Sequence, residues 1–259
     1  MRNFLMKASL FLISLSCSKD GDLLIPAETD NPIFMIVSCQ ASIGDTLRLV
    51  EYEYEKNNLI KETLFQNGEI HSNTTFEYNS DNQMVSEIYM SDLRKTEKNF
   101  LYNENNLLIN ILYKFIYYDI DGQITNQSES EAPREYENNQ LVKEWEYWGG
   151  FNTYEYNNGK IVSKIDYTKN GQKHHFTYYK YSGDLLIEEK KENKSGGLLY
   201  LKTYSYDSQN RLIQVKDGDN IIEENDYVGN KLVEKRTYYF GIDPGYDICY
   251  GNYVFRYKY

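Results

Sequence analysis

Long apolar runs are missing from this 259-residue chain. The one near its start, Ala8 to Leu15, is far shorter than the ~20 residues that a spanning helix needs. A mean hydropathy of -0.69 leaves little aliphatic material for a core. Positive charge is scarce as well: 28 Lys and Arg face 39 Asp and Glu, for a net charge of -11. A phosphate-binding protein needs a positive footprint, and here the cations are scattered among acids, so nucleic acid is excluded as a partner. Histidine occurs only at His71, His174 and His175. Neighbouring strand residues point to opposite faces, so His174 and His175 are not expected to share a metal. His-Glu-x-x-His, Walker, Gly-x-Ser-x-Gly and Cys-x-x-Cys patterns are all absent. No cofactor, metal or enzymatic activity is therefore expected.

Aromatic residues are abundant instead. The chain holds 27 Tyr, 11 Phe and 2 Trp. Each aromatic side chain buries about 150–250 Å², so these rings supply the burial that aliphatics do not, and they argue against disorder. Tyrosine suits a half-wet sheet, because the ring packs while the hydroxyl reaches water.

The tyrosines recur in order. Anchors stand at Tyr54 (YEKNNLIKE), Tyr78 (YNSDNQMVSE), Tyr102 (YNENNLLIN), Tyr136 (YENNQLVKE), Tyr156 (YNNGKIVSK), Tyr181 (YSGDLLIEE), Tyr206 (YDSQNRLIQ) and Tyr227 (YVGNKLVEK). Their spacings are 24, 24, 34, 20, 25, 25 and 21, a period that signals a repeat architecture. A Tyr-x-Tyr or Phe-x-Tyr step precedes most turns, and period two sets both rings on one face of a strand. A polar turn rich in Asn, Asp and Gly follows, and these residues tolerate the left-handed backbone of tight hairpins. A second strand opens with Leu or Ile. A second turn then closes the unit, as at Asn67-Gly68, Asp121-Gly122 and Asp217-Gly218. Eight units predict roughly sixteen short strands in one antiparallel meander. No segment keeps a helical apolar stripe for three turns.

The stretch Tyr204 to Gly218, YSYDSQNRLIQVKDG, resembles the YD repeat of Rhs-type proteins. Tyr204, Tyr206, Asp207, Arg211, Leu212 and Gly218 match that pattern, while Asn210 stands where the repeat has glycine before its Arg. The other units keep the tyrosine, turn and leucine but lose the Arg. The resemblance covers about residues 50–259, and it implies hairpins wound into a curved β-shell. Physics points the same way, since open twisted sheets rarely exceed ~10 strands without curling or closing. The fold class expected is all-β: an antiparallel meander of repeated β-hairpins curled into a barrel-like or spiral shell. A membrane barrel fits poorly, because Lys61, Glu62, Glu144, Lys164 and Glu188 interrupt short strands that would need an apolar outer band.

The N-terminus, MRNFLMKASLFLISLS, is basic at Arg2 and Lys7 and then apolar, as a secretory signal is. With Cys17 it resembles a bacterial lipobox: Ser16 is the small residue before the cut, while Ser14 departs from the usual leucine. The resemblance implies lipid on Cys17. Ser18 to Asp22 resemble tags that send lipoproteins to the outer face of the outer membrane. The expected organisation is a signal peptide at 1–16, a lipidated cysteine and tether at 17–33, and the repeat domain at 34–259. Lipid would make the membrane a partner, and a glycan or an envelope protein is the further partner expected.

Three site hypotheses follow. Cys39 lies near the first strand and Cys249 near the last, and outside the cytosol they are free to pair. Such a disulfide would fasten the two ends of the sheet, worth up to about 5 kcal/mol. The alternative is two unrelated buried thiols. The stretch WEYWGGF is the candidate ligand surface. There Trp145 and Tyr147 are expected to share a face, Trp148 falls at a turn with Gly149 and Gly150, and Phe151 follows. An exposed ring at this turn stacks on a sugar or a peptide; the plainer reading makes Trp145 and Tyr147 core and Trp148 a turn cover. Finally, DIDGQ at Asp119–Gln123 and DGDN at Asp217–Asn220 read as hairpin turns, being too short for a full calcium loop. The function expected is a non-enzymatic binding or structural module of the cell envelope. The alternatives are a glycan-binding surface protein in polysaccharide capture, a hydrolase, or an accessory to an Rhs-like secreted system.

Overall fold

The computed structural model describes residues 31–40, 46–238 and 252–259. Strands are the only regular elements in these segments, joined by short turns. The first half comprises β1 (Phe34–Gln40), β2 (Thr46–Glu55), β3 (Asn58–Gln66), β4 (Glu69–Tyr78), β5 (Met84–Ser91), β6 (Arg94–Tyr102), β7 (Leu108–Tyr118), β8 (Ile124–Glu131) and β9 (Arg134–Glu137). The second comprises β10 (Gln140–Trp145), β11 (Phe151–Asn157), β12 (Lys160–Tyr167), β13 (Lys173–Ser182), β14 (Leu185–Asn193), β15 (Leu198–Tyr206), β16 (Leu212–Asp217), β17 (Asn220–Val228), β18 (Lys231–Thr237) and β19 (Asn252–Lys258). All belong to one 19-stranded sheet. Sixteen of them, β2–β7 and β9–β18, are the two strands of each of the eight units read from the sequence. β1, β8 and β19 are additional.

The additions have simple causes. The segment from Ile124 to Glu137 is one long strand interrupted at Pro133, which has no N–H for the ladder. Ala132 still exchanges both backbone hydrogen bonds with Ile111, at 3.3 and 2.9 Å, so β8 and β9 run on along β7. This is the 34-residue spacing of the repeat. β1 and β19 pair with each other, Phe34 opposite Lys258 and Val37 opposite Phe255, and β1 also pairs with β2. The sheet is thus curled until its first strand joins its last. A notch is left along β8, which pairs only with β7 among the described residues.

One device recurs at every unit. The register slips by one residue at each anchor tyrosine: Glu53 faces Lys61 but Tyr54 faces Leu59, and Ser205 faces Gln214 but Tyr206 faces Leu212. The extra residue is always the Ile or Val that ends an apolar pair: Leu-Ile or Leu-Val in most units, as at Ile60 and Ile213, and Met84-Val85 and Ile161-Val162 in the other two. A bulge of this kind takes main-chain groups out of the ladder. The anchor tyrosine of the next unit supplies a replacement donor. Tyr78 Oη donates to the Leu59 carbonyl at 3.0 Å, Tyr102 to Met84 at 2.8 Å, Tyr136 to Leu108 at 2.9 Å and Tyr156 to Leu141 at 2.9 Å. Tyr206 does the same to Leu186 at 2.8 Å, Tyr227 to Leu212 at 3.1 Å and Tyr259 to Leu232 at 2.9 Å. The order tyrosine, turn, Leu-Ile is therefore a hydrogen-bonding rule between neighbouring units.

The turns follow the same economy. In the five-residue turns the first residue is often Asn or Asp, and its Oδ1 accepts two backbone N–H groups ahead of it. Asp207 Oδ1 accepts from Gln209 N at 2.8 Å and Arg211 N at 2.9 Å. Arg211 Nε then returns to Asp207 Oδ2 at 2.6 Å and its guanidinium lies 4.7 Å from the Tyr227 ring. Asn210, in glycine's place, has φ of 63°, the left-handed value that glycine would have supplied.

Cross-strand register links Val37, Val50, Ile111, Phe115, Val215 and Asn225 on a single face, and these are among the most buried residues. No large side chain is fully buried among the described residues. The substantial contacts run between ladder neighbours, with β9 beside β7 the one addition, so among the described residues no second layer covers this face. It is accordingly rich in tyrosine and paired charge. Glu87 meets Lys98 at 2.5 Å, Arg134 meets Glu144 at 3.2 Å and Lys235 meets Glu223 at 2.8 Å. The strands are longer than the sequence suggested, many spanning 9 or 10 residues, as β2, β3, β4 and β13 do. The opposite face carries pairs such as Lys61–Glu53 at 2.6 Å and Lys95–Glu97 at 2.5 Å. Neither face offers the apolar band that lipid would require.

Candidate functional site

The stretch from Trp145 to Phe151 forms a tight five-residue turn between β10 and β11. Glu146 N donates to the Gly150 carbonyl at 2.8 Å and Gly149 N to the Glu146 carbonyl at 2.8 Å. Gly149 has φ of 95°, a conformation that side chains resist. Gly150 is required for another reason. A Cβ there would stand 2.0 Å from the Trp148 ring, which lies directly over it. The ring thus rests over the Gly150 backbone, and Trp148 remains 56% exposed.

Trp145 pairs with Phe151 across the hairpin, and Phe151 pairs with Tyr167 on β12. Their rings form a row: Trp145 and Phe151 centroids are 6.1 Å apart, and Phe151 and Tyr167 are stacked at 4.4 Å. Lys143 Nζ sits 3.9 Å from the Trp145 ring and 4.5 Å from that of Phe151. Tyr167 and Lys143 belong to this surface although the sequence reading passed over them. Period two places Lys143 beside Trp145, but only the hairpin register brings Tyr167 opposite Phe151.

Tyr147 does not share a face with Trp145, contrary to expectation. β10 ends at Trp145, so period-two alternation stops there and the turn sends Tyr147 to the other side. Its ring lies 5.4 Å from both Tyr113 and Phe115 on β7, and its carbonyl accepts a hydrogen bond from Ser130 Oγ on β8. Tyr147 therefore covers the notch from the enclosed face, while the Trp148 ring lies over Gly150 and is largely exposed.

A polar network backs the row on the enclosed face. Glu144 accepts from Tyr154 Oη and Arg134, and Asn152 Nδ2 donates to Glu146 at 2.9 Å. Burial, then the hydrogen bond to Glu144, raises the Tyr154 pKa. Tyr179 is pushed up to about 12 by burial and by Glu189. For Asp166 burial pushes upward, but Lys191, at 2.9 Å, and Lys164 outweigh it and hold the carboxyl below its usual range. Burial, His174 and Lys191 together depress His175. The rings of His174 and His175 lie 3.7 Å apart rather than on opposite faces, because the β12–β13 register shifts between Asp166 and Tyr167 and disturbs the alternation. No group of three His, Cys, Asp or Glu is placed to hold a metal among the described residues.

The cysteines are placed only in part. Cys39 lies in β1, opposite Tyr253 on β19 and Thr46 on β2. Cys17 and Cys249 lie outside the described residues, and with them the lipid site and the disulfide pairing. The two calcium-flavoured stretches are hairpin turns, with Asp119 Oδ1 accepting from Asp121 N and Gln123 N at 3.0 and 2.8 Å.

No protein-family model matches the chain, and no curated protein matches it. Among solved structures, a porin-like protein from Bacteroides uniformis ATCC 8492 is similar at 11% identity and a TM-score of 0.43, over 88% of this chain and 97% of that one. TcdB2-TccC3-Cdc42 is similar at 13% identity and a TM-score of 0.30, over 77% of this chain. TcdB2-TccC3 is similar at 12% identity and a TM-score of 0.29, over 74%. This chain spans only 13% and 12% of the length of those last two.

Proposed function

We propose that the chain is a non-enzymatic binding module of the cell envelope. Lipid on Cys17 holds it to the outer membrane with the repeat domain facing outward, and the turn between β10 and β11 presents its ligand surface. One observation carries the binding reading: Trp148, 56% exposed, covers Gly150 in the turn that joins Trp145 to Phe151, the first two rings of the Trp145–Phe151–Tyr167 row. A tryptophan exposed at a rigid turn is costly to leave in water, and function concentrates on loops held by a rigid scaffold. Flat rings of this kind stack on the apolar faces of sugars. A glycan is therefore the ligand class favoured.

The test is a glycan and peptide array probed with the wild type and Trp148→Ala. Glycan binding that disappears in the variant supports the reading. Binding that survives unchanged moves the ligand surface elsewhere. Anchoring is tested by metabolic labelling with a fatty-acid analogue, which should mark the wild type and spare Cys17→Ser.

A further inference from the structure

We propose that the free edge of β8 takes up an extended peptide of alternating apolar and basic residues by strand addition. This goes beyond the glycan reading and stands on different residues.

Ala132 and Ile111 exchange both main-chain hydrogen bonds, and the register runs unbroken from Glu131 opposite Leu112 to Asn126 opposite Tyr117. Alternation then turns the N–H and C=O of Ser130, Ser128 and Asn126 toward β7, and those of Gln127 and Glu129 away from it. Among the described residues no strand pairs with that side of β8. Ile124 to Glu129 are all exposed. The regular run is about 20 Å long, bounded by the bulge at Thr125 and by Pro133. The turn of residues 146–150 closes one end of the gap, and Ser130 Oγ donates to the Tyr147 carbonyl there. The gap is as wide as the two strands that stop at this turn, β10 and β11, or about 10 Å. A regular edge with unpaired main chain and no lysine of its own is a template for another strand.

The side chains decide the occupant. A residue paired with Gln127 or Glu129 shares the outer face with them, and its neighbours point to the enclosed face. On the outer face the edge carries Glu129 and Glu131, with Asp119 and Asp121 in the turn that precedes β8. Lys114 faces the edge from β7, and it lies between Glu97 on β6 and Glu129 on β8. Lys143 on β10 faces Glu135 on β9 instead, and Lys169 stands beyond the turn, near Gly149. Carboxylates prevail, so basic side chains are favoured on this side. On the enclosed face the edge carries Asn126, Ser128 and Ser130, beside the exposed rings of Tyr117 and Tyr147. The charges of that face are engaged: Arg134 with Glu144, Glu146 with Asn152, and Arg94 over Phe115. Apolar side chains suit this side. A second copy fits poorly, because pairing β8 with β8 gathers the carboxylates of two hairpins along one edge.

The probe is the capped octapeptide (Val-Lys)4, offered to the purified protein in an NMR titration with amide hydrogen exchange. In the paired state its lysines point their backbone N–H groups at β8 and its valines point theirs away. Methylating the backbone nitrogens of the lysines should therefore abolish binding, and methylating those of the valines should spare it. These two peptides decide the pairing without any change to the protein. Binding should slow exchange of the Gln127 and Glu129 amides, which are fast in the free protein. (Val-Glu)4 should bind about tenfold more weakly or worse. Gln127→Pro removes an N–H that β7 does not use, so it should keep the fold and lose the peptide. Glu129→Gln/Glu131→Gln should weaken binding about fivefold, as two exposed ion pairs would give. Failure to bind (Val-Lys)4, equal effects of the two methylations, equal binding of (Val-Glu)4, or binding retained by Gln127→Pro overturns the proposal. Slow exchange at Gln127 and Glu129 in the free protein overturns it too, and sedimentation then tells whether a second copy or the chain itself fills the edge.

Discussion

Removing one oxygen from an anchor tyrosine tests the rule that joins the units. Tyr102→Phe deletes the hydroxyl that donates to the Met84 carbonyl at 2.8 Å and leaves the ring in place. That carbonyl stands at the bulge, where Glu77 faces Ser86 but Tyr78 faces Met84. A net hydrogen bond is worth about 0.5–1.5 kcal/mol, with more lost when the partner cannot turn to water. Tyr102 and its partner are part-buried, so a loss of about 1 kcal/mol is expected. In a domain of this size that lowers Tm by about 2–4 °C. Tyr181 is the internal control. It occupies the same place in its unit, yet among the described residues its hydroxyl makes no such bond, and Tyr181→Phe should change stability by less than about 0.3 kcal/mol. Urea unfolding followed by circular dichroism, with a constant slope, measures both. Tyr102 and Tyr206 are four units apart in the sequence, so the double variant should show the sum of the two single losses. Equal losses at Tyr102 and Tyr181, or no loss at Tyr102, would refute the rule.

Three further outcomes are expected. Val37→Ala, at a site 7% exposed opposite Phe255, should cost about 2 kcal/mol in urea, while Val228→Ala, at 68% exposure, should cost under about 0.5 kcal/mol. The depressed pKa of His175 means that the folded state resists its protonation, so its contribution is complete above the unfolded value of about 6.5 and declines as pH falls from there toward the folded value; His175→Gln should flatten that limb of a stability–pH curve, and an unaltered limb would exclude His175 as its source. Gly150→Ala must displace the Trp148 ring, because the Tyr167 carbonyl at 2.8 Å is backbone and cannot give way either; a changed tryptophan emission spectrum with weakened ligand binding is expected, and an unchanged spectrum would mean that the ring lies elsewhere.

Much of the fold was legible because hairpin chemistry is local. The anchors and turn residues located sixteen strands, since Asn, Asp and Gly at fixed offsets demand a particular backbone wherever they stand. What joins the units was not legible. The bulge at Ile60 or Ile213 has no residue signature beyond a Leu-Ile pair, which reads equally as plain strand. The destination of the tyrosine hydroxyl is a carbonyl 15 to 28 residues away. β8 went unread because IDGQITNQSESE has few apolar residues to mark a strand, and its role follows from the partner β7. At the turn between β10 and β11 the exposure of Trp148 was legible from its place beside Gly149 and Gly150. The side taken by Tyr147 was not, because alternation carries no information past the end of a strand.

The same rule accounts for how the sheet ends. Tyr257 and Tyr259 form one more Tyr-x-Tyr step, and Tyr259 Oη donates to the Leu232 carbonyl at 2.9 Å just as an anchor would. β19 is therefore the first strand of a ninth unit. Its second strand is β1, which begins beside it: Ile33 N donates to the Lys258 carbonyl at 2.7 Å, and the Ile33 carbonyl accepts from Tyr52 N at 2.9 Å. Every other unit has a turn between its two strands, while the ninth is assembled from residues more than two hundred positions apart. An edge of unpaired N–H and C=O groups is a liability in any sheet, and pairing the two terminal strands removes the pair of edges that a meander otherwise leaves. Among the described residues the enclosed face then has no second layer to pack on. This explains why tyrosine, with a ring for its neighbour and a hydroxyl for the backbone, does in this fold what aliphatic residues do in a layered one.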